Sequence, residues 1–566
     1  MRDTVPALQA AVQDFCVTLN TVRQESNVAG SARLELEALL RGMFGAFRDA
    51  RGATALGLPT WYLPASYDNL DTGNAWHPPY PRYSQELQYA STDLELARQY
   101  MGPEALRELV QAACAYARNA KLVPEKWSGT LGVLAGTGTV QLYDVLTRLL
   151  IERPNDGVVV PTPTYGFFLP QIERAGGDII PLPLSPSGRV SAQQLRDVVE
   201  KAESQRWSQW RSEICARITL ARLRWPQADI YWDKLKRELL RAESPFEADA
   251  ILSTYGAPRG RVLYSMLSPP RVVALFHINP QVNGLVYGSA QVDALSDVLV
   301  SKQMAVIEDL AYHGLILREN ATVISSFLST SVPTYSLLGL SKPFALAGHR
   351  IGILLTSEPL EPLQRLVESS AGFVPPASQL AAAAVLGAPS EHLASYLDAA
   401  NNDPDEGYAI KRRIMLMLLK GRHTGNVLPY EREAILARLH AELAEVAMCL
   451  DVTKQACEQF LDEGLSRLVE LAHDPEMGIF ILVSCKPCID LAWAKHLGVK
   501  TSFDFFAWAA YFCGVRTIPE ESMGSAWQDA HLLRLSLSPA VGTLVKSAFL
   551  LWFAARRFED SYGLRA

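Results

Sequence analysis

A mostly parallel α/β architecture is predicted by three observations. Short apolar runs that read as buried strands alternate with segments of helical spacing: a stretch ending at Leu134 precedes Leu142, Val145, Leu146, Leu149 and Leu150, Val158-Val159-Val160 follows, and then come Asp178 to Leu184 and Ala305-Val306-Ile307. Such alternation of β and α units builds a parallel sheet. Several runs also end in turn-forming or acidic residues at their C-terminal side, where open α/β sheets hold their ligands: Gly136-Thr137-Gly138-Thr139, Pro161-Thr162-Pro163-Thr164-Tyr165, and Glu308-Asp309. Finally, 566 residues with 49% hydrophobic and 20% charged side chains exceed one simple core, so two or three compact units are expected.

Composition excludes several classes. A net charge of -7 gives no reason to expect nucleic acid binding. No uncharged apolar run reaches the roughly 18 residues of a membrane span, and Met1-Arg2-Asp3 lacks a signal-peptide pattern, which predicts a cytoplasmic protein with no membrane association. The eight cysteines are sparse and irregularly spaced, as reduced thiols are. Cys485-Lys486-Pro487-Cys488 follows the apolar run Ile479 to Val483 and reads as a strand end, and the ten histidines do not cluster at metal-ligand spacing, so no metal is expected.

In chain order, residues 1 to about 60 show helical periodicity at Leu8, Val12, Phe15, Cys16 and Leu19. Pro59 to Tyr83 is rich in Pro, Tyr, Asn and Asp, a long irregular loop of the kind that often belongs to a site. Gly102-Pro103-Glu104-Ala105-Leu106-Arg107 opens an amphipathic helix. The turn Gly136, Thr137, Gly138 and Thr139 between strand and helix makes an anion site, because glycine lets the backbone close on a phosphate and the helix N-terminus favours its charge. A dinucleotide turn is the rival reading, although the third glycine of that fingerprint is absent. Residues 203 to about 269 form an insert of two or so helices, where Trp207, Trp210, Trp225 and Trp232 interleave with Arg206, Arg211, Arg217, Arg222, Arg224 and Lys234. That pattern suits an anionic, ring-containing second substrate, a partner surface, or a packed helical flap.

Ser341-Lys342-Pro343-Phe344-Ala345-Leu346-Ala347-Gly348-His349-Arg350-Ile351-Gly352 joins a lysine, whose amine can condense with a carbonyl, to an arginine that can hold a phosphate by two hydrogen bonds. The run, together with the P-x-P-T-aromatic turn at Pro161 to Tyr165, the D-x-A-Y turn at Asp309 to Tyr312 and the late arginine strand His531 to Ser538, resembles the fold-type I pyridoxal phosphate enzymes of the aspartate aminotransferase superfamily (aminotransferase class I and II). The resemblance covers roughly residues 85 to 555. It implies pyridoxal 5'-phosphate held as a Schiff base by Lys342, with Arg350, Ser341 and the Gly136 to Thr139 turn on its phosphate and Tyr165 stacked on its ring. It further implies that Asp309 faces the ring nitrogen and Tyr312 the ring oxygen. Relatives carry N-P-x-N-P-T-G where this chain has Asn279-Pro280-Gln281-Val282-Asn283-Gly284, so Asn283 is the preferred second partner of the ring oxygen, with Asn279 and Gln281 as alternatives. Gly339 replaces a common phosphate-binding serine. Tyr89 or Tyr100 is the tyrosine that in relatives reaches the neighbouring subunit, and a homodimer is implied.

The same resemblance divides the chain into a helical extension and small-domain segment (1–100), a large cofactor domain carrying the insert (101–375), and a C-terminal small α+β domain (376–566). Arg534, alternating with leucines, would then orient the carboxylate of an α-amino acid substrate. The leading expectation is an aminotransferase. The alternatives are γ-elimination, γ-replacement or carbon–carbon bond formation on S-adenosylmethionine or a similar amino acid, β-decarboxylation, and a non-catalytic regulator.

Overall fold

Seven strands of five to seven residues make the larger sheet: β1 (Gly132–Gly136), β2 (Gly157–Thr162), β3 (Asp178–Pro183), β4 (Val272–Ile278), β5 (Ala305–Asp309), β6 (Thr334–Gly339) and β7 (Gly352–Thr356). They are seen in a computed structural model that describes residues 4–26, 51–59, 63, 69–71, 73–93, 95, 98, 102–123, 131–185, 187–225, 231–255, 262–370, 373–423, 429–524 and 530–562. Their order is β1-β7-β6-β5-β4-β2-β3. All pairings from β6 through β5, β4 and β2 to β3 are parallel, and β7 alone runs against both of its neighbours.

The strand directions place the site. Since β1, β2, β5 and β6 run the same way, their C-terminal ends open on one edge of the sheet, while the reversed β7 begins at that edge. Gly352 is accordingly the register partner of both Gly136 and Gly339, which brings the residues just before β7, Arg350 among them, beside the turns that follow β1 and β6. All residues of β2, β5, β6 and β7 are buried, as expected of strands covered on both faces. Burying Val158, Val159 and Val160 stabilises the fold by roughly 5–9 kcal/mol in all. The helix Thr139–Leu150 turns Leu142, Tyr143, Val145 and Leu146 inward against this sheet, on the face the periodicity predicts.

A second sheet is antiparallel throughout: β8 (Glu470–Leu471), β9 (Phe480–Ser484), β10 (Ile518–Pro519) and β11 (Leu532–Ser536), in the order β10-β11-β9-β8. Ile481, Val483, Leu533 and Leu535 share one apolar cluster with the helix Ser502–Cys513, all twelve of whose residues are buried. A helix apolar on every side belongs in a core. The N-terminal helix Thr4–Ser26 joins the same cluster, with Phe15 5.7 Å from Tyr511 and 5.5 Å from Phe512, centroid to centroid. The periodicity at Leu8, Val12, Phe15 and Leu19 thus marks a face docked on the C-terminal part of the chain. Cys485 and Cys488 are buried at the end of β9, the strand end their context predicts.

The insert differs from its expected outline. Its first helix, Ala192–Arg224, begins well before residue 203, because Ser191 and Gln194 form a reciprocal cap and Leu195, Val199 and Ala202 pack on the sheet. Three more helices follow, Trp232–Arg241, Pro245–Thr254 and Val262–Leu267, so that the described part of the insert has four helices against an expected two or so. Among the described residues, no helix is long and apolar enough to cross a membrane.

Candidate active site

At the sheet edge the backbone closes tightly around the turn after β1. Gly138 has φ of 101°, which strongly favours glycine, and it precedes the first turn of the helix Thr139–Leu150, whose backbone N–H groups and dipole favour an anion. A Cβ on Gly352 would stand 2.8 Å from both Gly138 C and Thr139 N, so β7 approaches this turn as only glycine permits. Gly339 is less confined: a Cβ there would lie 3.1 Å from Ala311 Cα, a contact that a shift of a few tenths of an ångström relieves. Arg350, with φ of 50°, donates from Nη2 to the Thr137 carbonyl at 3.4 Å and from Nη1 to the Ala347 carbonyl at 3.3 Å, which lays its guanidinium along the glycine turn. Thr137 donates both its N–H (2.6 Å) and its hydroxyl (3.0 Å) to Gln141 Oε1. Of the four turn residues, Gly138 and Thr139 line the cavity.

That cavity, of about 410 Å³, gathers Lys342, Asp309 and Tyr312, with Ser341 and Arg350 beside the turn and Tyr165 and Arg534 across from them. Lys342 Nζ donates to the Gly73 carbonyl. Burial, then the charges of Arg534 and Arg350, bring its amine down to about 8 against an opposing pull from Asp309. Asp309 closes β5 and accepts from the Ala311 N–H at 2.9 Å. Burial first, and the neighbouring Glu308 further, push its carboxyl up to about 7, while the Ala311 hydrogen bond and Lys342 pull it down. Glu308 is fully buried, accepting from Ser336 Oγ at 2.7 Å, from the Phe327 N–H at 3.2 Å and from Ser326 Oγ. Tyr312 meets the Phe480 ring edge-on at 5.5 Å.

The opposite wall belongs to the second sheet and to the loop ahead of residue 80. Arg534 on β11 is buried, its guanidinium 3.9 Å from the Phe480 ring centroid and 6.0 Å from that of Tyr165. Among the described residues it forms no ion pair, and its Nε has no hydrogen-bond partner. A buried guanidinium left so is costly until an anion arrives. The loop is anchored by Asn69, which donates to the Gly514 carbonyl at 2.9 Å and accepts from the Arg516 N–H at 2.5 Å, and by the Leu70 carbonyl, which accepts from the Ser536 N–H at 2.8 Å. Asp71, Gly73 and Asn74 thereby reach the cavity. None of these three was singled out by sequence; the irregular composition of Pro59 to Tyr83 was the only signal. Phe167, two residues after Tyr165, and Ile518 on β10 also line the cavity, and nothing in the sequence points to them.

Other expected residues stay apart. Asn283 is buried with both ends of its amide engaged, Nδ2 donating to the Gly188 carbonyl at 2.7 Å and Oδ1 accepting from the Leu285 N–H at 3.0 Å, and it does not line the cavity. Asn279 is spent on the backbone of Tyr287 and Ser325, and Gln281 on the Tyr287 hydroxyl. Tyr89 is exposed on the helix Pro81–Ser91, and Tyr100 lies outside the described residues. No described residue of the insert lines the cavity. Trp210 is buried and donates to the Leu267 carbonyl at 2.9 Å, Trp207 stacks on it at 4.9 Å, and Arg206 and Arg217 pair with Asp178 and Glu213. Arg222 faces Asp233 at 4.0 Å and Arg224 lies over Trp225, so the flap reading describes this segment.

The sequence matches the aminotransferase class I and II family over residues 66–210 and 248–412, the gap falling within the insert. No curated protein sequence matches the chain. In fold it is similar to an aspartate aminotransferase from Rhizobium meliloti (TM-score 0.57, 15% identity, 91% of this chain and 94% of that one). It is also similar to an aromatic aminotransferase from Pyrococcus horikoshii (0.55, 14%, 88% and 98%) and to a protein of Escherichia coli with a methionine aminotransferase function (0.54, 16%, 92% and 96%).

Proposed function

Because the chain belongs to the aminotransferase class I and II family, whose members are pyridoxal phosphate-dependent, we propose that it transfers the amino group of an α-amino acid, with Lys342 moving the proton and Arg534 holding the substrate carboxylate. The observation that carries this is the buried Arg534 guanidinium, without an ion pair among the described residues, facing the same cavity as a lysine whose amine is lowered to about 8.

The residues present fit the cofactor. Lys342 is the group to hold its aldehyde carbon, Arg350 with the Gly138 and Thr139 backbone its phosphate, Tyr165 its ring face, and Asp309 its ring nitrogen. When bound, the cofactor supplies a ring that accepts electrons from the substrate α-carbon. Asp309, whose carboxyl burial pushes up to about 7, would be drawn to its charged form by a protonated ring nitrogen and would favour that protonated form in return. Lys342, as a neutral amine, takes the α-proton and returns it. Arg534 fixes the carboxylate by paired hydrogen bonds, which sets the bond to be broken relative to the ring. The reaction on S-adenosylmethionine is suggested by the insert and the altered Asn-Pro motif, and none of their described residues lines the cavity. The proposal extends to a cytoplasmic homodimer; family membership supports the dimer, and eight free cysteines fit a reducing compartment.

The test is to incubate the cofactor-loaded protein with single amino acids and a 2-oxo acid acceptor, and to identify products by mass spectrometry. The expected result is the donor's 2-oxo acid and the aminated acceptor in equal amounts. Ammonia, carbon dioxide or a γ-leaving group released without amination of the acceptor would overturn it.

A further inference from the structure

We infer that Asp71 sets the side-chain selectivity of this cavity, favouring an α-amino acid whose uncharged side chain ends in an N–H or O–H donor and rejecting one that ends in a second carboxylate. The inference rests on the aminotransferase reading and goes beyond it to the class of substrate.

Five charged residues line the cavity. Lys342, Asp309, Arg350 and Arg534 have been given their tasks, and Asp71 is the one left over. Its place is fixed from both sides. Leu70, next to it, is held by its carbonyl to Ser536 on β11, two residues from Arg534, and Asn69 ties the same segment to Gly514 and Arg516. Asp71 is therefore anchored beside the strand that carries the carboxylate-binding arginine, in the same cavity and near enough that the charges of Asp71 and Arg534 act on each other.

The charges at this corner decide what fits. Asp71 Oδ2 lies 3.6 Å from Arg516 Nε, an ion pair longer than a hydrogen bond, and Arg516 does not line the cavity. Burial disfavours the charged form of Asp71, while Arg516 first and Arg534 after it favour that form, and Asp71 lines the cavity as a group that accepts hydrogen bonds. Arg534 in turn is balanced by the α-carboxylate. With both pairs closed, a second substrate carboxylate would be an extra negative charge, partly desolvated, beside Asp71. An amide or hydroxyl adds no charge and supplies the donor that a carboxylate accepts. Phe480 and Ile518 offer apolar surface to the carbon chain on the way, and Asn74, which can both donate and accept, does not discriminate.

Isosteric substrates make the test direct. With the cofactor-loaded protein, kcat/KM is measured for the pairs asparagine and aspartate, glutamine and glutamate, with leucine as an uncharged reference. The amide of at least one pair should be preferred by about tenfold or more, since a site built around one acceptor penalises a like charge strongly. Asp71→Asn should shrink that ratio at least about fivefold, because the new amide can donate to a carboxylate. A ratio cancels any general loss in the variant, and the visible band of the bound cofactor checks its folding; Asp71→Ser is the second variant, with the same expected direction. Preference for the carboxylates, a ratio unchanged in the folded variants, or rejection of both pairs while leucine reacts would overturn the inference alone. Failure of every amino acid to donate its amino group would overturn the aminotransferase reading with it.

Discussion

The cavity has two ends of different construction. At the sheet end each side chain sits in a short local motif at a strand terminus: Gly138 and Thr139 after β1, Tyr165 after β2, Asp309 and Tyr312 at β5, Lys342 after β6 and Arg350 before β7. One fact of topology, a reversed strand in a sheet otherwise parallel, puts them together. At the other end Phe480, Ile518 and Arg534 come from the second sheet and Asp71 from a segment about four hundred residues earlier, and they meet only because that sheet docks against the loop at Asn69 to Asn74. The difference teaches that the sheet end can stay constant while the docked end changes, so chemistry belongs to the first and substrate choice to the second.

The largest effect that would test this division comes from Asp309→Ala. Removing a buried, charge-assisted partner should cost about 2–3 kcal/mol of stabilisation along the reaction, or roughly 30- to 150-fold in kcat, and by the same factor for every amino acid. Cofactor occupancy, read from the visible band, should fall much less, since Arg350 and the Gly138 turn remain. Losses that varied from one substrate to another would show that the sheet end also selects.

Arg534→Gln probes the docked end and should act selectively. Its loss should lower kcat/KM by about 1.5–3 kcal/mol, roughly 10- to 150-fold, for an α-amino acid, and hardly at all for the amine that lacks the carboxylate. Equal losses on acid and amine would break the assignment of Arg534.

The two ends were unequally legible in the sequence for the same reason. Val158 to Val160 and Ala305 to Ile307 are continuous apolar runs because their strands are covered on both faces, and the residues that follow them sit at the cavity by covalent connection alone. Asp71 and Gly73 lie in a loop without periodicity, and nothing local tells that Asn69 binds the turn at Gly514 to Arg516. Asn283 misled because a motif match carries no information on which carbonyl claims its amide; Gly188, 95 residues earlier, does. The need for glycine at 352 was equally hidden, since it arises from the backbone of the turn at Gly138 and Thr139, distant in sequence.

Lys342 stands where the two ends meet, and its titration reports on both. Burial lowers its amine from an ordinary 10.5 to about 8, with Arg534 from one end and Arg350 from the other pressing in the same direction and Asp309 opposing. Only the neutral amine attacks an aldehyde. The rate at which apoprotein captures pyridoxal phosphate should therefore rise about tenfold from pH 7 to pH 9 and level off above, as the neutral fraction grows from about one in eleven to about ten in eleven. An unshifted lysine would instead give about a hundredfold rise over that range with no plateau. The variants move the midpoint in opposite senses. Arg534→Gln removes a positive charge, makes protonation easier and shifts the midpoint to higher pH; Asp309→Ala removes a negative charge and shifts it lower. Stopped-flow absorbance across the pH range would measure all three curves. A midpoint that ignored Arg534→Gln would mean that the docked end does not reach the lysine electrostatically, and that substrate choice and proton transfer are set independently in this cavity.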